Sequence, residues 1–314
     1  MYKQKSQQWH DQRNNYLTAS TIASAIGVRG AKSRQDLLIE KVSYGKIGGF
    51  RGCEATHWGN KYEPVANGVY AYRNHVVIHG FGMITNPKYP ILGISPDGIL
   101  EDRMLEIKCP YSRVIDGKIK TEYYHQMQEQ MTVCEYDLCD FLECRFAEQQ
   151  ESTFWDDFDL YDPKEKGIIL SYYSYEDEDI AYLYSPIELC SSQTQMRAWL
   201  KQTLDDTSRV YLGQTFWSIA KYNCQHVKRD PYWIVIYYPV LKKFWEEVEY
   251  YRRVGIDRLL KQTQTPSEEE ISANSNIPII TDFFPNKGKC LLDDDSPPDV
   301  FRTIKATKKT RCLL

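Results

Sequence analysis

The stretch Gly93-Ile94-Ser95-Pro96-Asp97-Gly98-Ile99, followed by Leu105-Glu106-Ile107-Lys108-Cys109-Pro110, constrains the fold more than any other part of the chain. Its second half alternates with the period of a β-strand. Leu105, Ile107 and Cys109 share one face, and Glu106 and Lys108 share the other. Such a strand buries its apolar face in a core and holds a carboxylate and an ammonium together on the opposite side. Upstream, Pro96 and Gly98 flank Asp97 at a bend that can aim its carboxylate toward the same face. Two carboxylates fixed side by side repel each other unless a cation lies between them, and all-oxygen donors favour Mg²⁺ or Mn²⁺. A lysine next to such an ion can orient or deprotonate an attacking water and offset the charge of a developing phosphorane. This is phosphodiester-hydrolysis chemistry. Taken singly, each piece has a plainer reading: Glu-x-Lys on a strand is usually a solvated pair, and Pro-Asp-Gly usually a turn.

Joined at this spacing, the two pieces match the PD-(D/E)xK nuclease signature. Ser-Pro-Asp-Gly-Ile followed by Leu-Glu-Ile-Lys-Cys-Pro resembles the lambda-exonuclease branch of that superfamily, the YqaJ-type viral recombinases. The resemblance implies an α/β (α+β) restriction-endonuclease-like core in the order αβββαβ, a central mixed β-sheet flanked by helices. It also implies that Asp97, Glu106 and the backbone carbonyl of Ile107 bind metal while Lys108 activates water.

Length and composition agree with a globular enzyme. The chain has 314 residues, 42% hydrophobic and 26% charged, enough for a buried core. A net charge of −4 argues against polyanion binding by the whole surface, so a nucleic-acid groove has to be a local basic patch. Nine cysteines without Cys-x-x-Cys spacing, and no signal peptide, point to reduced thiols in an intracellular compartment. For a viral protein that is host cytoplasm or nucleus. The spacing of Cys134, Cys139 and Cys144 is wrong for a compact iron–sulfur ligand set. No apolar run is long enough to span a bilayer.

Residues 1–45 read as helical, with Ser20 as the N-cap of a short helix that Gly27 ends. Capping is the commoner explanation for such a serine. The resembled family, however, reads Trp-x-x-x-Arg and then Thr-Ala-Ser here, and its arginine and serine hold the 5′-terminal phosphate of duplex DNA. By that correspondence Arg13 and Ser20 are phosphate binders, with Ser95 as a third candidate. In the next helix Trp58, Tyr62, Ala66, Val69 and Tyr70 recur at helical spacing, and Pro64 fits only near its start. Glu63 falls off that stripe and reads as an exposed acid. Trp-Gly-x-x-Tyr-Glu also resembles the family's first acidic motif, which would make Glu63 part of the metal site.

Residues 75–110 alternate like an antiparallel meander, including a strand at Val76-Val77-Ile78. In the helix that follows, Tyr124, Met127, Met131 and Cys134 supply the buried stripe, while Gln126 and Gln130 share another face one turn apart. A polar helix surface accounts for those amides equally well. The family's Tyr-x-x-Gln-x-Gln motif implies that Gln126 borders the metal and Gln128 supports the DNA-binding site, with His125 incidental. Phe141 to Phe146 reads as the last core strand.

The nuclease domain is expected over residues 1–262, with an acidic insertion at about 148–230 and a closing helix near 238–248. Residues 263–314 read as a flexible tail. Within it, Ile277 to Pro285 resembles a sliding-clamp (PCNA) interaction box, with Ile280, Phe283 and Phe284 as anchors and Ile277 where the usual glutamine stands. Docking of the tail on its own domain is the other reading.

The resemblance thus implies a DNA exonuclease using Mg²⁺ or Mn²⁺, two ions per active site, on duplex DNA from a 5′ end during viral recombination, repair or replication. Its implied partners are two further copies in a ring-shaped trimer, the clamp, and a single-strand-annealing or single-strand-binding protein. The alternatives are a related alkaline nuclease acting internally or on RNA, and a clamp-tethered DNA-binding scaffold without turnover. No Walker-type or dinucleotide-binding glycine motif supports a nucleotide-metabolising enzyme.

Overall fold

The computed structural model describes residues 4, 6–49, 52–158, 165–176, 178–206 and 208–264. Helix α1 (Gln7–Arg13) is opened by Ser6, whose side chain accepts from the Trp9 N–H. Strand β1 (Leu17–Thr18) leads into a 3₁₀ turn, Ala19–Thr21, and helix α2 (Ile22–Ala25). The cap here is not Ser20. Thr18 N–H donates to Thr21 Oγ1 at 3.2 Å, and that hydroxyl donates back to the Thr18 carbonyl at 2.8 Å. Ser20 sits inside the turn, so its hydroxyl is not spent on capping. The stop after α2 is as expected: Gly27 takes φ +76°, and the Val28 N–H returns to the Ala23 carbonyl at 2.8 Å.

Helix α3 (Arg34–Val42) is capped by Ser33. Helix α4 (Glu54–Asn74) starts ten residues before Pro64, so the proline lies mid-helix rather than near its start. Burial of Tyr62, Val65, Ala66, Val69 and Tyr70 holds the helix across the backbone hydrogen bond that the proline cannot donate.

The expected meander is divided between two sheets. Strands β2 (Ile84–Thr85) and β3 (Leu92–Ile94) pair antiparallel, and β3 pairs parallel with β1, giving the order β1-β3-β2. Strand β4 (Gly98–Ile99) pairs antiparallel with β5 (Met104–Lys108) in the second sheet. Val76 to Ile78 is not a strand; its neighbour His79 makes an isolated bridge to Ile99. The chain changes sheets at Ser95-Pro96-Asp97, where Pro96 has no N–H to offer a ladder. Gly98 is needed directly after: a Cβ there would run into Ile78 Cγ2. Asp97 therefore stands at the seam between the sheets.

Helix α5 (Thr121–Cys134) carries the chain to β6 (Leu138–Gln149), which lies parallel to β5 with Glu106 opposite Phe141 and Lys108 opposite Glu143. Then come α6 (Glu151–Asp156), β7 (Lys166–Ser174), β8 (Asp179–Tyr184), a 3₁₀ turn Ile187–Ser191, α7 (Gln193–Leu204), β9 (Val210–Lys228), α8 (Trp233–Val254) and α9 (Ile256–Gln264). Phe141 to Phe146 is not the last strand of the core. β9 returns antiparallel along all of β6, from Leu138 opposite Lys228 to Gln149 opposite Phe216. The six-stranded order is β4-β5-β6-β9-β7-β8, so residues 148–230 contribute three strands to the central sheet.

Three apolar clusters hold these layers. One joins α2, α3, α5 and α8 through Ile22, Leu37, Met127, Met131, Trp233 and Phe244 to Met104 and Phe141. The second packs α4 through Tyr62, Ala66 and Val69 on Leu105, Ile107 and Leu142. The third seats α6 and α7 on the outer strands through Phe154, Trp155, Met196 and Phe216. The fold is a mixed α/β one: a mixed sheet with helices on both faces. No helix among the described residues is long and apolar enough to cross a membrane.

Candidate active site

The alternation of β5 decides where its charges go. Leu105, Ile107 and Cys109 enter the cluster under α4, and Glu106 and Lys108 face α5. Glu106 is fully buried. Its Oε1 accepts from Gln126 Nε2 at 2.6 Å and from the Lys108 ammonium; its Oε2 accepts from Gln130 Nε2 at 2.7 Å. Asp97 reaches the same strand from the seam, its Oδ2 accepting from the Ile107 N–H at 2.7 Å. Burial, then Glu106 and Glu63, push the Asp97 carboxyl well above the usual carboxylate range, against the pull of Lys108 and the Ile107 N–H. Burial alone would push the Lys108 ammonium down, but Glu106 and Asp97 outweigh it and hold it above the ordinary lysine value. These groups are crowded together rather than splayed.

Ser20, Asn60, Glu63, Ile107, Lys108 and Gln126 line one cavity of about 670 Å³. Arg13 lies behind Ser20. Its Nη2 donates to Ser20 Oγ at 2.8 Å and to Thr18 Oγ1 at 3.3 Å, while its guanidinium stacks 4.4 Å over the Trp9 ring. Trp9 Nε1 in turn donates to Ser95 Oγ at 2.9 Å. Arg13 and Ser20 are thus in direct contact, and Ser95 joins them through Trp9. The 3₁₀ turn that displaced Ser20 from its capping role is what turns its hydroxyl toward Arg13 and the cavity.

Behind Arg13 lie two buried ionisable groups that sequence reading did not single out. Lys41 Nζ donates to the Arg13 carbonyl at 2.9 Å, and Glu129 of α5 is fully buried within electrostatic reach of both cations. Burial raises the Glu129 carboxyl well above its ordinary value, and burial followed by Arg13 pushes Lys41 down to about 7. Between pH 7 and the ordinary lysine value of 10.5, unfolded Lys41 keeps a proton that folded Lys41 has lost. The unfolded state then binds more protons, so stability rises with pH across that window. Lys41→Met is expected to remove this rise, on the order of 2 kcal/mol between pH 6 and pH 9. Urea unfolding of wild type and variant at the two pH values measures it, and parallel pH dependence in both would contradict it.

One expected placement changes, and His125 is incidental as expected. Gln128 is fully buried and turned away from the acids: its Nε2 donates to the Lys228 carbonyl at 2.9 Å and its Oε1 accepts from the Asp230 N–H at 2.7 Å. It clips the end of β9 to the start of α8. His125 is a packing group, its Nδ1 accepting from Trp233 Nε1 at 2.9 Å. Ile280, Phe283 and Phe284, with the clamp-like segment around them, lie outside the described residues.

The donors present suit a hard divalent cation. Among the described residues no three His, Cys, Asp or Glu side chains form a metal-binding group by themselves. Asp97, bonded to the Ile107 N–H, and Glu106, the residue before Ile107, offer carboxylate oxygens, the Ile107 carbonyl is a third oxygen donor, and Ile107 and Glu63 line the cavity. Burial first, then repulsion from Glu106 and Glu63, raises Asp97, and a cation held at this point would relieve the repulsion.

Residues 8–137 match the model of the YqaJ-like viral recombinase domain. An uncharacterized protein of Acanthamoeba polyphaga mimivirus is 28% identical over 85% of this chain, which spans only 57% of that relative's length. The crystal structure of an alkaline exonuclease from Laribacter hongkongensis superposes with a TM-score of 0.51 at 20% identity, covering 82% of this chain and 100% of that one. The same enzyme in complex with dAMP gives the same TM-score and identity, covering 82% of this chain and 99% of that one. Residues 8–137 are thus similar to the YqaJ-like viral recombinase domain, and the chain shares its fold with an alkaline exonuclease.

Proposed function

We propose that the protein is a divalent-cation-dependent exonuclease that degrades linear duplex DNA from 5′-phosphorylated ends. The observation that carries this reading is the shared cavity. Ser20, bonded to Arg13, lines the same space as Lys108, Gln126 and Glu63. Arginine beside a hydroxyl is a phosphate-binding pair, whereas the acids and lysine are hydrolytic groups. A site that holds a terminal phosphate next to the cleavage chemistry acts at ends. The alkaline exonuclease fold, and the dAMP held by that neighbour, favour the same substrate class.

In this reading Asp97, Glu106, the Ile107 carbonyl and Glu63 hold the Mg²⁺ or Mn²⁺. Bound there, the cation supplies Lewis-acid activation and charge neutralisation. The protein's own groups do the rest. Lys108, kept protonated, orients water on the scissile phosphate and offsets the charge that builds on its oxygens. Gln126 and Gln130 fix the Glu106 carboxylate. Arg13 and Ser20 anchor the 5′ phosphate, and Trp9 keeps the guanidinium in place by stacking.

The nuclease domain then comprises residues 1–262, with 148–230 as an addition built onto its sheet. A trimeric ring around DNA, clamp contact by the tail, an annealing partner and a role in viral recombination belong to the same proposal. Incubation with linear 5′-phosphorylated duplex, circular duplex and RNA tests it. Mononucleotide release from the linear duplex alone is expected. Cleavage of the circle or of RNA at a similar rate would favour the internal or RNA-degrading alternative.

A further inference from the structure

We propose that Tyr111 is a base-stacking platform, its ring receiving a base near the 5′ end of the strand that enters the cavity and so positioning that strand for cleavage. This rests on the duplex-end reading above and names how the same cavity holds the nucleotide.

Tyr111 follows Pro110 just beyond Lys108, and it lines the cavity that Ser20, Glu63 and Lys108 also line. It is 42% exposed, yet it ends a file of aromatic rings that begins in the core. Tyr62, fully buried, stacks on Phe146 at 4.7 Å and packs against Trp58 at 4.4 Å. Trp58 in turn meets the Tyr111 ring edge-on at 5.2 Å. The Tyr111 hydroxyl donates to Glu54 Oε1, in the first turn of α4, at 2.9 Å. An exposed tyrosine by itself is ordinary surface. Here the ring is fixed in advance by Trp58 and Glu54 and shares a cavity with the hydrolytic groups.

The chemistry of the cavity asks for such a ring. Lys32, Lys108 and Arg113 on its wall are cations suited to phosphate, and they offer nothing to a base. A nucleotide drawn from a duplex end gives up its stacking on its neighbour, and an aromatic face restores it. A tyrosine already held in place supplies that face at little ordering cost. Every base has a π-face, so the contact accepts any sequence. Tyr123, also on the cavity wall, is committed elsewhere: its ring packs at 5.6 Å on Phe141 and lies 5.2 Å from the Lys108 ammonium.

The test compares an intact 5′-phosphorylated duplex with duplexes carrying an abasic tetrahydrofuran residue at the first, second or third position from that end. Binding to the full chain is followed by anisotropy in Ca²⁺, and cleavage of the intact duplex is measured alongside in Mg²⁺. At one position, loss of the base is expected to weaken wild-type binding about 5- to 150-fold, the worth of one stacked base. Tyr111→Leu is expected to bind intact and abasic duplexes within about twofold of each other. Tyr111→Phe keeps the ring, loses the bond to Glu54 and is expected to keep the wild-type response. The same penalty for base loss in wild type and Tyr111→Leu overturns the proposal, as does a wild type indifferent to base loss at every position. Loss of the response in Tyr111→Phe overturns it too, by assigning the effect to the hydroxyl. A wild type that neither binds nor cleaves the intact duplex overturns the duplex-end reading itself. Photo-cross-linking of wild type to duplex carrying 5-iododeoxyuridine at the same positions decides the matter even if no variant folds. A cross-link on Tyr111 is expected, and cross-links confined to other residues contradict it.

Discussion

Lys108→Ala is expected to slow phosphodiester hydrolysis about 10²- to 10³-fold while leaving duplex affinity within a few-fold. The ammonium lies at the cavity wall, bonded to Glu106 and 5.2 Å from the centre of the Tyr123 ring. Glu106 and Asp97 keep it charged despite burial, and in the proposed function this fixed positive group offsets charge gained by the phosphate oxygens. Its contribution grows along the reaction, and its loss therefore falls on the rate rather than on binding. Many phosphate contacts along a duplex share its affinity, so the loss of one cation is expected to change binding little. Single-turnover nucleotide release, set beside duplex binding in Ca²⁺, separates the two quantities. Loss of binding in proportion to loss of rate would assign Lys108 to DNA contact instead.

The second large effect is on end recognition. Arg13→Ala is expected to reduce the preference for 5′-phosphorylated over 5′-hydroxyl ends by about 30- to 150-fold, equivalent to the roughly 2–3 kcal/mol of a charge-assisted hydrogen bond. The guanidinium is held in advance by Trp9, Thr18 and Ser20, so binding a phosphate costs little side-chain ordering. Initial rates on the two duplexes give the ratio directly. An equal loss on both ends would remove Arg13 from the phosphate pocket and leave it a packing residue of α1.

Much of the site was legible because short-range periodicity wrote it. The two-residue repeat of Leu105 to Cys109 placed Glu106 and Lys108 opposite the core, and the Pro-Asp-Gly bend placed Asp97 beside them. The apolar spacing from Tyr62 to Tyr70 marked the inner face of α4. The same logic separates the amides that meet Glu106 from the one that does not. At 100° per residue Gln126 and Gln130 share a face while Gln128 points nearly the opposite way, yet the family motif drew attention to Gln128. In the structure Gln126 and Gln130 meet Glu106, and Gln128 does not.

What stayed hidden depends on contacts distant in sequence. Nothing local says that β9 will return along β6, because the pairing joins segments separated by the whole of α6 to α7. The division of the meander at Asp97 arises from β1 pairing with β3, another long-range choice. Ser20 resembled a cap because the sequence could not show that Thr18 and Thr21 satisfy each other first. Lys41 and Glu129 looked like ordinary charged positions on helices until the packing of α3 and α5 buried them.

The central claim is that acids and an amine gathered at one strand form a cation-dependent hydrolytic site. End-labelled linear duplex, incubated with wild type and with Asp97→Asn in Mg²⁺ and in EDTA, tests it most directly. Mononucleotides should appear for wild type in Mg²⁺ and in none of the other three reactions. Release that persists in EDTA, or in the Asp97→Asn protein, would contradict the account.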